Sequence, residues 1–453
     1  MKLRKTSPTA APPGFSVWHS LKLGLFQVGS SLVDLLTTGV INRLLIVEMG
    51  VAAWPVTLLT GLRYLIAPLS LWAGHRSDTR PLLGSRRTSY IWLGRLLILL
   101  SLPLLPLALA AIGHDSGSAT GWLLLVTAFL LYSIGASASG APYLALVHDS
   151  APYERRGQVN AIVYTLLAAS SAFVGFLYGR LLPTWDLALF WRLVMVAMVG
   201  AAFFWFISVW REERRAAPPA VVENAPSLRT TVAGLWADPR ARRYALFLGA
   251  SAFFAFMQDG VLEPFGGDVF GLSVGETTRF NAYWGMGVLL AMVIGAYLTR
   301  RRAPDRQVST TAWGLAILAG PLFLLALSSV MQIQSLLRPL LFVFGAGLGI
   351  FSVGGVALLM AMSREQQAGA YLALWSMIQL ITRGAGIAAG GLLRDLGLAV
   401  TGSLSLAYGF VFAFEAVGLL VCILLLRRVD VPGFVSLSTR AEAVALPTPA
   451  VFD

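Results

Sequence analysis

The chain has 453 residues, of which 57% are hydrophobic and only 12% charged, with a mean hydropathy of +0.73. Spanning helices need about 20 apolar residues each, so this composition excludes an ordinary soluble enzyme and predicts a polytopic membrane protein. The net charge of +12 would suit a nucleic-acid binder, but Lys and Arg concentrate in alternate loops, as the positive-inside rule requires of a membrane protein. Nucleic acid is therefore not an expected partner, whereas the lipid bilayer is.

Residues 1–21 form a Lys- and Pro-bearing segment with no short cleavable apolar core after it, so no signal peptide is expected. Trp18 and Lys22 suit the membrane interface. Twelve apolar spans follow, at roughly 22–46, 53–74, 89–112, 120–146, 158–182, 187–210, 243–264, 278–299, 307–330, 335–362, 368–392 and 402–427. Residues 211–242, with Pro218, Pro219 and Pro226 among several arginines, read as a cytoplasmic loop between two six-helix halves, 22–210 and 243–427. Residues 428–453 carry Pro432, Pro447 and Pro449 without periodicity and read as a disordered cytoplasmic tail. The expected fold is all-α, twelve transmembrane helices in two halves with a cavity between them, which is the major facilitator pattern.

Ionisable groups inside spans are costly and mark sites by default. Asp34 lies near the middle of the first span and Arg63 at similar depth in the second; they are either a structural ion pair or a gate or protonation site. Arg383 in span eleven and Glu415 in span twelve form a second expected intramembrane pair, read as structural. Asn42, Arg43 and Glu48 make a polar group near the outer end of the first span, beside Gly39. Gly74, Asp78, Gly84, Arg86 and Arg87 occupy the loop after the second span, where the acid and arginines can pair or cap helix ends.

The densest stretch is Met257 to Thr277, MQDGVLEPFGGDVFGLSVGET, which places Gln258, Asp259 and Glu263 in an otherwise apolar seventh helix. Pro264 lacks the N–H that would bond the Gly260 carbonyl, freeing one acceptor. Gly266 and Gly267 permit close approach of something bulky or a turn at the outer surface. Asp259 and Glu263 are alternatively ties to Arg43 or Arg63.

That stretch resembles the seventh-helix signature of the bacteriochlorophyll delivery family, the PucC/LhaA-like branch of the major facilitator superfamily. The string GVINRLLIVEMGV around Asn42 and Arg43 is similar to the end of that family's first helix. The run from Ala67 and Pro68 through Gly74, Arg76, Ser77, Asp78, Gly84, Arg86, Arg87, Tyr90, Ile91, Trp92 and Gly94 is a third matching block. The resemblance covers roughly residues 20–95 and 250–295; the loop HDSAPYERRGQ departs from the family pattern. It implies a non-enzymatic membrane chaperone in the bacterial cytoplasmic (inner or intracytoplasmic) membrane, both termini cytoplasmic, handling (bacterio)chlorophyll transiently. Its implied partners are light-harvesting or reaction-centre subunits and pigment-synthesis enzymes. For a magnesium tetrapyrrole, Gln258, Asp259, the Gly260 carbonyl, Glu263 or a water are the candidate axial donors, since magnesium prefers oxygen.

The four histidines, His19, His75, His114 and His148, lie at span ends or in loops, which argues against stored pigment and, with Cys422 the single cysteine, against a metal site. No phosphate loop, HExxH or Ser/His/Asp arrangement is present. The competing expectation is a proton-coupled transporter of a small solute, with Asp34 or Asp259 carrying the proton.

Overall fold

The computed structural model describes residues 16–82, 84–152, 155–213, 236, 238–299, 307–362, 368–431 and 433, so most of the central loop and tail lie outside the described residues. Among the described residues, eleven helices are long and apolar enough to cross a membrane, and one bent pair, taken as a single span, makes a twelfth. They are Val17–Glu48, Ala53–Thr79, Thr88–His114, Ala119–Asp149, Arg156–Leu181, Leu187–Val209, the pair Pro239–Gly260 and Leu262–Phe270, then Val274–Thr299, Val308–Met331, Gln334–Ala361, Tyr371–Thr401 and Leu404–Arg427. These are numbered first to twelfth below.

Local chemistry fixes many of the ends. Ser16, Ser118, Asp186, Asp238 and Ser403 cap helix N-termini through their side-chain oxygens, satisfying amides that have no partner in the helix. The first span is not uniform: Leu36–Val40 and Leu44–Glu48 are π-helical turns, a widening that recurs at functional sites.

Buried apolar side chains form two clusters. One draws on residues 23–209, with Phe26, Tyr143, Tyr178 and Trp205 among its largest members and Val274 joining it. The other draws on residues 241–431, around Tyr244, Phe265, Trp375 and Phe412. The cores meet where glycine removes the side chain from the contact. A Cβ on Gly61 of the second span would lie 2.6 Å from the Gly384 carbonyl of the eleventh, and one on Gly384 would lie 2.8 Å from the Gly61 carbonyl. Gly179 and Gly275 make the same kind of contact between the fifth and eighth spans, each Cβ 2.6 Å from the other's carbonyl.

These cross-core contacts are one-sided. The half of the second span nearer the first connecting loop (Ala53–Leu65) runs along the eleventh, whereas its other half (Ala67–Thr79) scarcely touches it. The outer part of the first span packs on the second segment of the seventh. Among the described residues, the fourth and tenth spans make no comparable contact with each other. The described contacts between the cores are therefore densest toward the side of the first connecting loop.

Candidate functional site

The seventh span is broken rather than kinked. Its first helix ends at Ala255, a 3-10 turn covers Met257–Gly260, and a second helix runs Leu262–Phe270, bent by 43°. This corrects the expectation of one continuous helix over 243–264. Pro264 falls in the first turn of the second helix, where an N–H has no helical acceptor. The Gly260 carbonyl is not free: the Asn42 side-chain amide donates to it at 3.5 Å, and Asn42 in turn accepts from Thr60 at 2.7 Å.

Gly266 and Gly267 lie inside that second helix and do not turn the chain; Gly271, at φ +64, does. Nor is the space beside them open. A Cβ on Gly266 would meet Thr277 at 2.7 Å and Phe280 at 2.8 Å, and one on Gly267 would meet the Arg43 guanidinium at 2.5 Å. Arg43 is itself held, donating to the Leu272 carbonyl at 2.9 Å and pairing with Glu48 at 3.1 Å. Glu263 is buried, takes a hydrogen bond from the Asn281 amide and packs against Gly39. Gln258, Gly260, Glu263, Gly266, Gly267, Asn42 and Arg43 thus form a buried seal toward the side of the first connecting loop.

Charge at mid-span is arranged differently. Arg63 and Asp34 pair at 2.9 Å, and the Tyr132 hydroxyl donates to Asp34 at 2.7 Å while accepting from Arg63. Arg383 pairs with Asp259 at 2.9 Å, not with Glu415 as expected, and the Gln258 amide donates to Asp259 at 3.0 Å. The eleventh span turns Arg383 toward the seventh, so Asp259 is the acid within its reach. Neither Asp259 nor Glu263 pairs with Arg43 or Arg63 among the described residues. Glu415 is fully buried, faces the Gln258 backbone amide, and neither of its oxygens makes a hydrogen bond of normal geometry.

The two mid-span pairs share one ring. Tyr64 lies 4.7 Å from the Arg63 guanidinium carbon and 4.5 Å from that of Arg383, which also sits 3.8 Å from the Phe256 ring. The Gly61–Gly384 contact is what places the two arginines beside each other. Side chains of Asp34 (33% exposed), Arg383 (29%), Asp259 (22%) and Arg63 (20%) are only partly buried. Of the four residues expected in intramembrane pairs, Asp34, Arg63 and Arg383 are partly exposed and Glu415 is buried; of those expected to touch ligand, Asp259 and Glu48 are at least partly exposed and the others are packed away.

Two further groups escape sequence reasoning. Arg95, in the third span, is buried with its guanidinium 4.2 Å from the Phe26 ring and 4.5 Å from that of Trp205, a contact that offsets part of the cost of burying it. The signal was a lone arginine inside an apolar run. Arg394, just past the apolar span expected at 368–392, lies within the eleventh span and pairs with Asp268 at 2.7 Å and Asp395 at 2.8 Å. Tyr408 donates to Asp268 at 2.6 Å, and Asp395 caps the second span by accepting from the Trp54 amide at 2.8 Å.

On the side of the chain ends, Arg87 bridges Asp78 at 3.0 Å and Asp149 at 2.8 Å. Gly84, at φ +77, makes the turn before it, and Gly74 lets the second span lie against Ala141. The backbone amides of Arg86, Arg87 and Thr88 donate to Glu213, which follows the sixth span. Burial alone would raise the Glu213 carboxyl, but these bonds outweigh it and hold it below its ordinary value.

A family model described as "PUCC protein" matches residues 40–434. "Protein PucC" of Rhodovulum sulfidophilum is 31% identical over 402 residues, covering 85% of this chain and 87% of that one. The "Bacteriochlorophyll synthase 44.5 kDa chain" of Rhodobacter capsulatus is 29% identical over 401 residues, covering 87% and 91%. Among solved structures, a bacterial homologue of the human lysosomal transporter Spinster, inward-facing and unoccupied, superposes with a TM-score of 0.65 at 17% identity, covering 96% of this chain and all of that one. A POT family transporter in complex with a thioalcohol-conjugated peptide gives 0.67 at 12% identity, covering 91% and 96%. Likeness at that identity concerns the fold, which is that of major facilitator transporters; the sequence match over most of its length places this chain in the PUCC protein family.

Proposed function

We propose that this protein is a membrane assembly factor that takes up (bacterio)chlorophyll transiently between its two cores and passes it to light-harvesting or reaction-centre polypeptides. The observation that carries this reading is family membership over residues 40–434, together with relatives named for PucC and for a bacteriochlorophyll synthase chain. The seam between the cores supports it. Its mid-span wall offers aromatic rings, Tyr64 and Phe256, beside acids and arginines that already neutralise one another, a surface suited to a large, mostly apolar ligand with a few polar groups. Contact is with pigment-synthesis enzymes on one side of the handover and client subunits on the other, in the bacterial cytoplasmic membrane.

The test is affinity purification of the tagged full chain from phototrophically grown cells in mild detergent. Pigment absorbance and antenna or reaction-centre subunits should accompany it, and deletion of its gene should lower the amount of assembled complex. Recovery free of pigment and clients, with normal complexes in the deletion strain, refutes the reading. A second reading, proton-coupled transport of a small solute, is favoured by the transporter fold and by Asp34 standing one-third exposed. Substrate-dependent proton flux in vesicles would establish it in place of the first.

A further inference from the structure

Where the third span begins and the sixth ends, on the side of the chain ends, lies a cavity of about 390 Å³ that the reading above does not use. Its wall is aromatic, made by Trp92 of the third span with Phe206 and Trp210 at the end of the sixth. The Trp92 and Phe206 ring centroids are 5.8 Å apart, and those of Phe206 and Trp210 are 4.5 Å apart. Tryptophan gathers at headgroup depth in spanning proteins, and the exposed Trp18, Trp72, Trp210 and Trp313 all stand near span ends on this side. The cavity therefore lies at the level of the lipid headgroups. On the faces that carry Trp92 and Phe206, Leu96 and Leu100 of the third span and Phe203 and Val199 of the sixth continue toward mid-span as exposed apolar side chains.

Three charged residues border the cavity, and two of them are already engaged. Glu213 accepts from the backbone amides that open the third span. Glu212 is buried and held by Lys22 and by the His19 Nε2 at 3.0 Å. Arg211 differs. It is exposed, its guanidinium carbon lies 5.5 Å from the Trp210 ring, and among the described residues it pairs with no acid. Its φ of +59 is a left-handed conformation that residues other than glycine seldom adopt. That turn ends the sixth span at Trp210 and leaves Arg211 on the cavity wall. The wall thus presents one cation without a counter-ion, acids that are already hydrogen-bonded, and an apolar approach from the bilayer.

We propose that this cavity holds the headgroup of an anionic phospholipid, with Arg211 pairing its phosphodiester. A guanidinium suits a phosphate because its planar fork offers parallel N–H donors to two oxygens. The Trp210 and Phe206 rings pack on the glycerol carbons, and the acyl chains follow the exposed strip along the third and sixth spans. A headgroup that also carries an ammonium fits less well. The acids it would seek are engaged by Lys22, His19 and the third-span amides, and its charge would stand beside Arg211. The apolar strip makes a membrane lipid, rather than a soluble phosphate, the source of the anion.

The delipidated full chain, in mild detergent, is titrated with phosphatidylglycerol and with phosphatidylethanolamine of the same acyl chains, and bound lipid is counted by native mass spectrometry. Phosphatidylglycerol is expected to bind about fivefold more tightly, the contribution of one basic residue toward an anionic lipid. Arg211→Gln should erase that preference. Arg180→Gln should keep it: Arg180 also lies beside a ring, 4.7 Å from Phe176, but at the end of the fifth span and away from this cavity. Excess glycerol 3-phosphate should not displace the lipid. Equal binding of the two lipids by the unaltered chain overturns the proposal, whether or not the variants fold. So does a preference that survives in folded Arg211→Gln, or one lost equally in Arg180→Gln, which would mark general surface charge. Displacement by glycerol 3-phosphate overturns it too, by making a soluble anion the ligand.

Discussion

Replacing Arg394 with alanine should loosen the side of the molecule where the two cores meet. This guanidinium, 8% exposed, spans Asp268 at 2.7 Å and Asp395 at 2.8 Å and lies 5.4 Å from the Tyr408 ring. Through Asp395, which accepts from the Trp54 amide, it also reaches the second span in the other core. Removing one partner of a buried pair costs about 3–5 kcal/mol, because the other charge is left uncompensated. Asp268 keeps the Tyr408 hydroxyl and Asp395 keeps the Trp54 amide, so the cost should fall near the lower end, about 3 kcal/mol. At about 1.4 kcal/mol per tenfold, that is roughly a hundredfold shift toward opened forms. The protein contains its own reporter: Cys422, the single cysteine, is fully buried in the twelfth span. A thiol-reactive fluorophore should label Arg394→Ala many times faster than the unaltered chain at the same temperature. Arg394→Ala combined with Asp268→Ala should be less destabilised than Arg394→Ala alone, since the orphaned acid is gone. Labelling of Arg394→Ala within twofold of the unaltered chain refutes the reasoning.

Gly384→Val should force the second and eleventh spans apart, because even a Cβ there would stand 2.8 Å from the Gly61 carbonyl; a loss of about 1–3 kcal/mol should appear in the same thiol assay. Glu213→Gln should weaken the start of the third span by about 1 kcal/mol, measured as faster amide hydrogen exchange over residues 86–90. The Glu213 carboxyl is held below its ordinary value by those amides, so its contribution is complete above the ordinary glutamate range near 4.3 and is lost as pH falls through the folded value. Acid titration should therefore open this helix end in the unaltered chain, and Glu213→Gln should show little further change over that window. A reporter active only in the cytoplasm, fused after Asp453, should be active if the alternation of basic loops has been read correctly; silence there would reverse the topology.

An all-helical membrane fold of eleven or twelve crossings and the family were legible in the chain itself, because span length and three local motifs are properties of contiguous sequence. That the stretch from Gln258 to Gly267 is unusual was legible too, since two acids, a proline and paired glycines seldom gather in a membrane helix. What that stretch does was not. Whether Gly267 admits a ligand or the Arg43 guanidinium depends on which side chain of another span arrives there. Asp34 and Arg63 could be matched from sequence because adjacent antiparallel spans put equal depths side by side. The partner of Arg383 could not, because Glu415 and Asp259 lie at comparable depth in spans that both pack on the eleventh. The direction in which Arg383 points selected Asp259 and left Glu415 buried alone. Arg95 and Arg394 show the same limit: sequence shows that a charge is present, but only the packed rings of Phe26 and Trp205, or the convergence of Asp268 and Asp395, determine how its burial is compensated. Periodicity and composition fix depth along the membrane normal; rotation about each helix axis, which decides what each side chain meets, is set by contacts between spans far apart in the chain.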